Sequence, residues 1–238
     1  MAWQGLSVLA VIPARGGSKG IPRKNLCQVG GVSLVGRAAQ LAAALPWIDQ
    51  AVLSTDDPEI ADEGRRHGVD APFLRPAELA SDMATGASAW RHAWLASEAY
   101  YGRRFELSVL LQPTSPLRRP EEVERTLAAM VEGGHQAATT ISKVPGHFAP
   151  QKLLTLDAAG RVAFHHPEGS RHSNRQSIPD YYYRNGLCYA VRRETLVDRG
   201  LIVEEDCLGV VIDHYVANID EPIELVIAEC LMCCGDDS

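Results

Sequence analysis

Short apolar runs alternate with helical patterns through the first half of the chain. Ser7–Ile12, Gln50–Leu53 and Leu107–Leu111 are strand-length stretches that read as buried strands. Between them, Leu34–Leu45, Glu59–His67, Ala87–Ala99 and Glu121–Glu132 are Ala-rich with helical spacing. Thr55-Asp56-Asp57-Pro58-Glu59 carries a helix-start signature, a short polar cap followed by Pro in the first turn, and Pro120-Glu121-Glu122 is similar. Strands alternating with helices of this length predict an α/β fold with a mostly parallel sheet and helices on both faces. Ligands of such sheets bind outside the carboxyl ends of the strands.

The rhythm changes after Ser142. Val144 to Tyr183 is rich in His, Pro, Gly, Arg and Tyr, with Asp157-Ala158-Ala159-Gly160 as a turn and Val162-Ala163-Phe164 as a short strand. Strand character returns at Gly186–Val191 and Gly209–Ile212, and Glu221–Cys234 reads as a closing helix. Residues 143–183 therefore form a small inserted subdomain within a larger domain made of 1–142 and 184–238. The insert is too small to bury its own apolar residues, which predicts packing against a second copy in a homodimer, with acceptor residues near the interface.

The bulk numbers are those of a globular protein: 238 residues, 46% hydrophobic and 22% charged. The net charge of −7 argues against a general nucleic-acid binder. No apolar run has membrane-spanning length, and the N-terminal run is too short for a signal peptide with its cations on the wrong side, so a cytoplasmic protein is expected. The six cysteines do not form a disulfide framework. Cys230, Cys233 and Cys234 read as part of the apolar face of the last helix, with Ile223, Val226, Ile227 and Leu231.

Against this acidic background stands one basic segment, Ile12-Pro13-Ala14-Arg15-Gly16-Gly17-Ser18-Lys19-Gly20-Ile21-Pro22-Arg23-Lys24-Asn25-Leu26. It places four cations and no acid within ten residues, directly after a predicted strand. Glycine turns let backbone N–H groups face phosphate oxygens, and Arg15, Lys19 and Lys24 add charge-assisted contacts. That chemistry points to a polyanion, most simply a triphosphate. The loop matches neither the GxGxxG dinucleotide fingerprint nor the phosphate-binding GxxxxGK pattern. Gly31 to Gly36 has the latter's spacing, but Arg37-Ala38 follow.

The loop resembles the signature of the CMP-N-acylneuraminate synthetases, cytidylyltransferases with a Rossmann-like nucleotidyltransferase fold. Further blocks carry the resemblance in order: Val52-Leu53-Ser54-Thr55-Asp56-Asp57, Leu74-Arg75-Pro76-Ala77-Glu78-Leu79-Ala80-Ser81-Asp82, Leu110-Leu111-Gln112-Pro113-Thr114-Ser115-Pro116-Leu117-Arg118, Arg175-Gln176, Tyr183-Arg184-Asn185-Gly186 and Asn218-Ile219-Asp220. The resemblance implies an enzyme that transfers CMP from CTP to an acidic acceptor and releases pyrophosphate. It implies that Arg15, Gly17, Ser18, Lys19 and Lys24 hold the triphosphate, that Lys24 stabilises charge at the α-phosphate, that Asn25 touches the ribose, and that Arg75 and the backbone near Ala84 read cytosine. It places Arg15, Lys24 and Asp220 in the chemistry, with Asp220 as ligand of Mg²⁺. Gln112, Lys152, Arg175, Arg184 and Asn185 fall at acceptor-contacting positions, where Arg suits a carboxylate or phosphonate.

Two departures bear on the acceptor and the metal. Asn218 stands where the family carries an acid, so Asp213 or Asp56 is an alternative second carboxylate, and Asp220 itself also reads as an N-cap of the last helix. Gly200-Leu201-Ile202-Val203-Glu204-Glu205 offers no aromatic for an N-acyl pocket. The acceptor is therefore a nonulosonic, sialic-acid-like sugar or a small phosphonate such as phosphonoformate. The rival of a different class is a CTP-binding regulator without catalysis.

Overall fold

The computed structural model describes residues 3–167, 169, 178–203 and 206–235. In chain order its regular elements begin with β1 (Val8–Pro13), the short hairpin β2 (Gln28–Val29) and β3 (Val32–Ser33), α1 (Leu34–Ala44), β4 (Gln50–Ser54), α2 (Pro58–Arg66) and α3 (Gly86–Tyr101). There follow β5 (Leu107–Leu110), α4 (Pro120–Glu132), β6 (Ala137–Lys143), β7 (Leu154–Leu156), β8 (Val162–Phe164), β9 (Tyr182–Arg192), β10 (Cys207–Val211) and α5 (Pro222–Gly235). The central sheet has the order β10-β6-β9-β5-β1-β4. The β1 pairings with β4 and β5 and the β10–β6 pairing are parallel, whereas β9 runs antiparallel between β5 and β6.

Side-chain alternation along β1 divides the core into two layers. Val8, Ala10 and Ile12 pack with Val35, Ala39 and Ala42 of α1, Ile60 of α2 and Val123 and Leu127 of α4. Leu9 and Val11 face the other way, onto Trp90, Ala93 and Trp94 of α3. Helices thus cover both faces, as the apolar runs predict, because a strand buried on both sides must be apolar at every position. The cap signatures also hold. Asp57 Oδ1 accepts from the N–H of Glu59 at 2.9 Å at the start of α2, and the Glu122 side chain reaches back to the Arg119 N–H at 2.8 Å at the start of α4.

Two features differ from the expectation. β6 is not among the strands that the apolar runs predict, since Ala137-Ala138-Thr139-Thr140 carries β-branched but hardly hydrophobic side chains, and its strand state comes from pairing with β9 and β10. The face of α5 predicted to pack is instead turned outward. Ile223, Val226, Cys230, Leu231, Cys233 and Cys234 are exposed, and Ala228, Leu225 and Met232 make the contact with Val29, Leu34 and Ile219. Since α5 is apolar nearly all round, its periodicity does not single out one face.

The inserted segment contains the predicted turn, closed by the Gly160 N–H to Asp157 O bond at 3.0 Å, and the predicted strand as β8, paired with β7. All six cysteines are free. No helix among the described residues is long and apolar enough to cross a membrane.

Candidate active site

The chain moves from β1 to β4 on one side and later places β5 on the other side of β1. That reversal opens a crevice beyond the carboxyl ends of β1 and β5, the place where open α/β sheets bind ligands. A cleft of about 300 Å³ lies there. Arg15, Gly17, Ser18, Lys24 and Asn25 line it from the loop after β1, and Gln112, Pro113 and Thr114 line it from the turn after β5. Arg75, Asp82 and Ala84 close it from the segment before α3.

The basic loop is held in shape by its neighbours. The Gly16 N–H donates to Asp56 Oδ1 at 2.9 Å, and buried Asn25 donates its amide to the Arg15 carbonyl at 2.9 Å. Gly20 passes so close to the end of the chain's core that an added Cβ would lie 2.5 Å from the Asp220 carbonyl oxygen. Gly20→Ala is therefore expected to separate the loop from Asp220 and to cost about 1–3 kcal/mol of stability, measured as a lower denaturant midpoint.

Every loop cation named in the sequence reading meets an acid of the same chain. Lys24, its side chain largely buried, donates to Asp220 Oδ1 at 2.9 Å and to the Ile219 carbonyl at 2.8 Å. Arg15 and Lys19 share the carboxylate of Asp82, at 3.1 and 2.7 Å. The hydrogen bond from Lys19 is the main cause that holds the Asp82 carboxyl below its ordinary pKa; desolvation opposes it, and Arg15 adds to the lowering. Lys19 is highly exposed and sits at the rim, outside the residues that line the cleft. Exposed ion pairs of this kind are screened by water and contribute little to stability.

Arg75 lies almost wholly buried, donating from Nε to Ser54 Oγ at 3.1 Å and from Nη2 to the Ser54 carbonyl at 2.6 Å. Burial lowers its pKa, while nearby Asp56 raises it and Arg15 lowers it further. The Ala84 N–H is engaged with the Ser81 carbonyl at 3.2 Å. Gln112 sits with Oε1 3.0 Å from where a Cβ of Gly186 would lie, so the glycine, at φ +77°, makes room for it. Arg118 is buried beneath this turn, with Nη2 on the Gln112 carbonyl at 2.7 Å, and burial pulls its pKa to about 10.

The remaining acceptor positions are not gathered into the cleft. Lys152 lies in a short turn of the insert, and Arg184 is exposed on β9; neither is among the lining residues. Asn185 is buried where the β6–β9 register shifts, with Oδ1 accepting from Thr140 Oγ1 at 2.6 Å and Nδ2 donating to Ser142 Oγ at 2.9 Å. Its amide fastens the two strands, a use that the motif alone does not reveal. Arg175 lies outside the described residues, as do Gln176, Glu204 and Glu205.

The carboxylate of Asp220 is engaged outside helix α5: Oδ2 accepts from Asn218 Nδ2 at 3.0 Å, and Oδ1 meets Lys24. Glu224 supplies the cap by reaching back to the Glu221 N–H at 2.7 Å, so the reading of Asp220 as the helix cap gives way to Glu224. Neither proposed second acid joins Asp220. Asp213 lines a different cavity beside Arg125 and His214, and Asp56 is tied to Gly16. Among the described residues, no three His, Cys, Asp or Glu side chains form a group able to hold a metal.

A mostly parallel α/β sheet with a cationic, acid-lined cleft beyond β1 and β5 defines a nucleotidyltransferase. Residues 9–200 match a family model described as cytidylyltransferase, and the chain belongs to that family; it is a CTP-dependent nucleotidyltransferase. It is 28% identical to the CMP-N,N'-diacetyllegionaminic acid synthase of Legionella pneumophila, over 95% of this chain and 97% of that protein. It is 27% identical to the post-translational flagellin modification protein B of Campylobacter coli, over 94% of each chain. Among solved structures, a CMP:2-keto-3-deoxy-manno-octonic acid synthetase complexed with CTP superposes with a TM-score of 0.69 at 18% identity, covering 96% of this chain and 99% of that one, a likeness of fold.

Proposed function

We propose that this chain transfers CMP from CTP to a nonulosonic acid and releases pyrophosphate. The observation that carries the reading is the convergence of Arg15, Lys24 and Gln112 on one cleft of nucleotide size, closed by Arg75 on the opposite wall. The relatives' names supply the acceptor class, since one of them makes the CMP derivative of a legionaminic acid. Neither the phosphonate acceptor nor the regulator without catalysis gains support from them.

In the transfer, the acceptor's hydroxyl oxygen bonds to the α-phosphorus and the hydroxyl proton is lost. The bond from that phosphorus to the bridging oxygen breaks, and its electron pair leaves on pyrophosphate. Arg15, Ser18, Lys19 and the Gly17 backbone hold the phosphate tail. Lys24, on the cleft wall, stabilises the charge that grows on the α-phosphate and the leaving oxygen. Asn25 touches the ribose, and Arg75 with the backbone near Ala84 reads the base. Gln112 lies at the acceptor edge of the cleft.

The donor set around Asp220 fits Mg²⁺ that arrives on the triphosphate, because this ion takes one or two protein carboxylates and completes its shell with phosphate and water oxygens. Bound there, it would neutralise phosphate charge, with Asp220 as its protein carboxylate. Asn218→Asp is expected to lower the Mg²⁺ concentration for half-maximal rate severalfold, because the amide now 3.0 Å from Asp220 becomes a second carboxylate. An unchanged Mg²⁺ titration would place residue 218 away from the ion.

The insert supports a homodimer, with the apolar side chains of Leu154, Leu156, Val162 and Phe164 exposed on the β7–β8 hairpin. Sedimentation is expected to give twice the chain mass, and a monomer overturns this. The acceptor is tested by pyrophosphate release with CTP and Mg²⁺ across nonulosonates and phosphonates. Turnover with nonulosonates is expected; turnover with phosphonates alone overturns the acceptor, and tight CTP binding without turnover on any acid restores the regulator.

A further inference from the structure

The structure contains a carboxylate where the phosphate tail must go. Asp82 lines the cleft and bonds both Arg15 and Lys19. Ala80, two residues earlier, adds its carbonyl at 3.4 Å from the same Arg15 nitrogen. A fixed acid beside an anion site repels the ligand, so its presence there needs a reason. Two observations supply one. Asp82 is half-exposed, on a short segment between a single turn at Ala77–Leu79 and the start of α3 at Gly86, so its side chain can leave without disturbing the core. Its bonds are to Arg15 and Lys19, whereas Lys24, the cation assigned to the α-phosphate, pairs with Asp220.

We propose that Asp82 is a displaceable counter-anion that selects the triphosphate and helps to expel pyrophosphate. This rests on the assignment of Arg15 and Lys19 to the phosphate tail. A single carboxylate satisfies two cations in the empty cleft. A triphosphate replaces it by bringing several charges to the same two groups, whereas CMP, with only its α-phosphate, leaves Arg15 and Lys19 to Asp82. After transfer, the outer two phosphates are no longer bonded to the nucleotide. Asp82 then competes with them for Arg15 and Lys19 and shortens the stay of pyrophosphate. Its role is specificity and release, not contact with the reacting atoms.

The test is Asp82→Asn, with Asp82→Glu as the conservative variant, read by calorimetric binding of CTP, inorganic pyrophosphate and CMP without metal, and by the inhibition constant of pyrophosphate during turnover. Asp82→Asn is expected to bind pyrophosphate and CTP about three- to tenfold more tightly, with CMP affinity unchanged and stronger product inhibition. Asp82→Glu should return towards the wild type. Unchanged or weaker pyrophosphate binding in Asp82→Asn overturns the proposal, as does an equal gain for CMP. A loss of CTP affinity seen only with Mg²⁺ present also overturns it, by making Asp82 a metal ligand. Arg15→Ala separates the two levels: if it leaves CTP and pyrophosphate affinity intact, the phosphate assignment itself fails, whereas a loss there with no effect of Asp82→Asn removes the counter-anion alone.

Discussion

Lys24→Ala slows CMP transfer by about 10²–10³-fold while the protein keeps its fold. The size follows from removing one preorganised donor that acts on developing charge in a partly desolvated site. The ammonium is placed by two bonds, to the Ile219 carbonyl and to Asp220, and its side chain is largely shielded from water. Among the described residues, no other lysine lines the cleft to take its place. The loss should fall mainly on kcat, because charge at the leaving oxygen grows only as the bond breaks. Folding should change little, since Lys24 belongs to none of the apolar clusters. Steady-state kinetics with thermal melting checks both halves, and a rate near that of the wild type removes Lys24 from the chemistry.

Asp220→Ala is the second large effect, a fall of about 10²-fold in kcat/KM together with weakened metal binding. Among the described residues, Asp220 is the acid that pairs with Lys24, and its side chain is 65% exposed, open to a metal carried by the nucleotide. Losing this carboxylate removes the negative charge that faces Lys24, and even weaker changes around metal sites cost about 10–100-fold in affinity or activity. The substitution also frees Lys24, so the pre-bound geometry of that ammonium loosens. Stability should hold, because Glu224 and not Asp220 caps α5. Mn²⁺ titration in the presence of CTP reads the metal directly. An unchanged Mn²⁺ affinity would leave Asp220 only as the anchor of Lys24.

The cationic loop was legible because its charge opposes an acidic chain and follows a strand, both linear properties. Gln112 was legible as part of a block, and the structure brings it to the same cleft as Arg15 and Lys24. Asp82 carried no signal of its role, although its block was recognised. Its meaning depends on Arg15 and Lys19, more than sixty positions earlier in the chain, reaching it across the cleft. Asn185 shows the reverse case. Its neighbours in sequence mark an acceptor segment, yet its amide is spent on Thr140 and Ser142, a pairing set by the β6–β9 register shift.

The chain's own pattern determined the alternation of strands and helices, the caps of α2 and α4 and the cationic loop after β1. These depend on neighbours within a few residues, where periodicity, proline and charge act directly. Tertiary structure decided which face of α5 is buried, that β6 is a strand and which acid answers each cation. Those outcomes rest on contacts between residues distant in sequence, and their energies exist only once the sheet order has brought the partners within hydrogen-bonding reach.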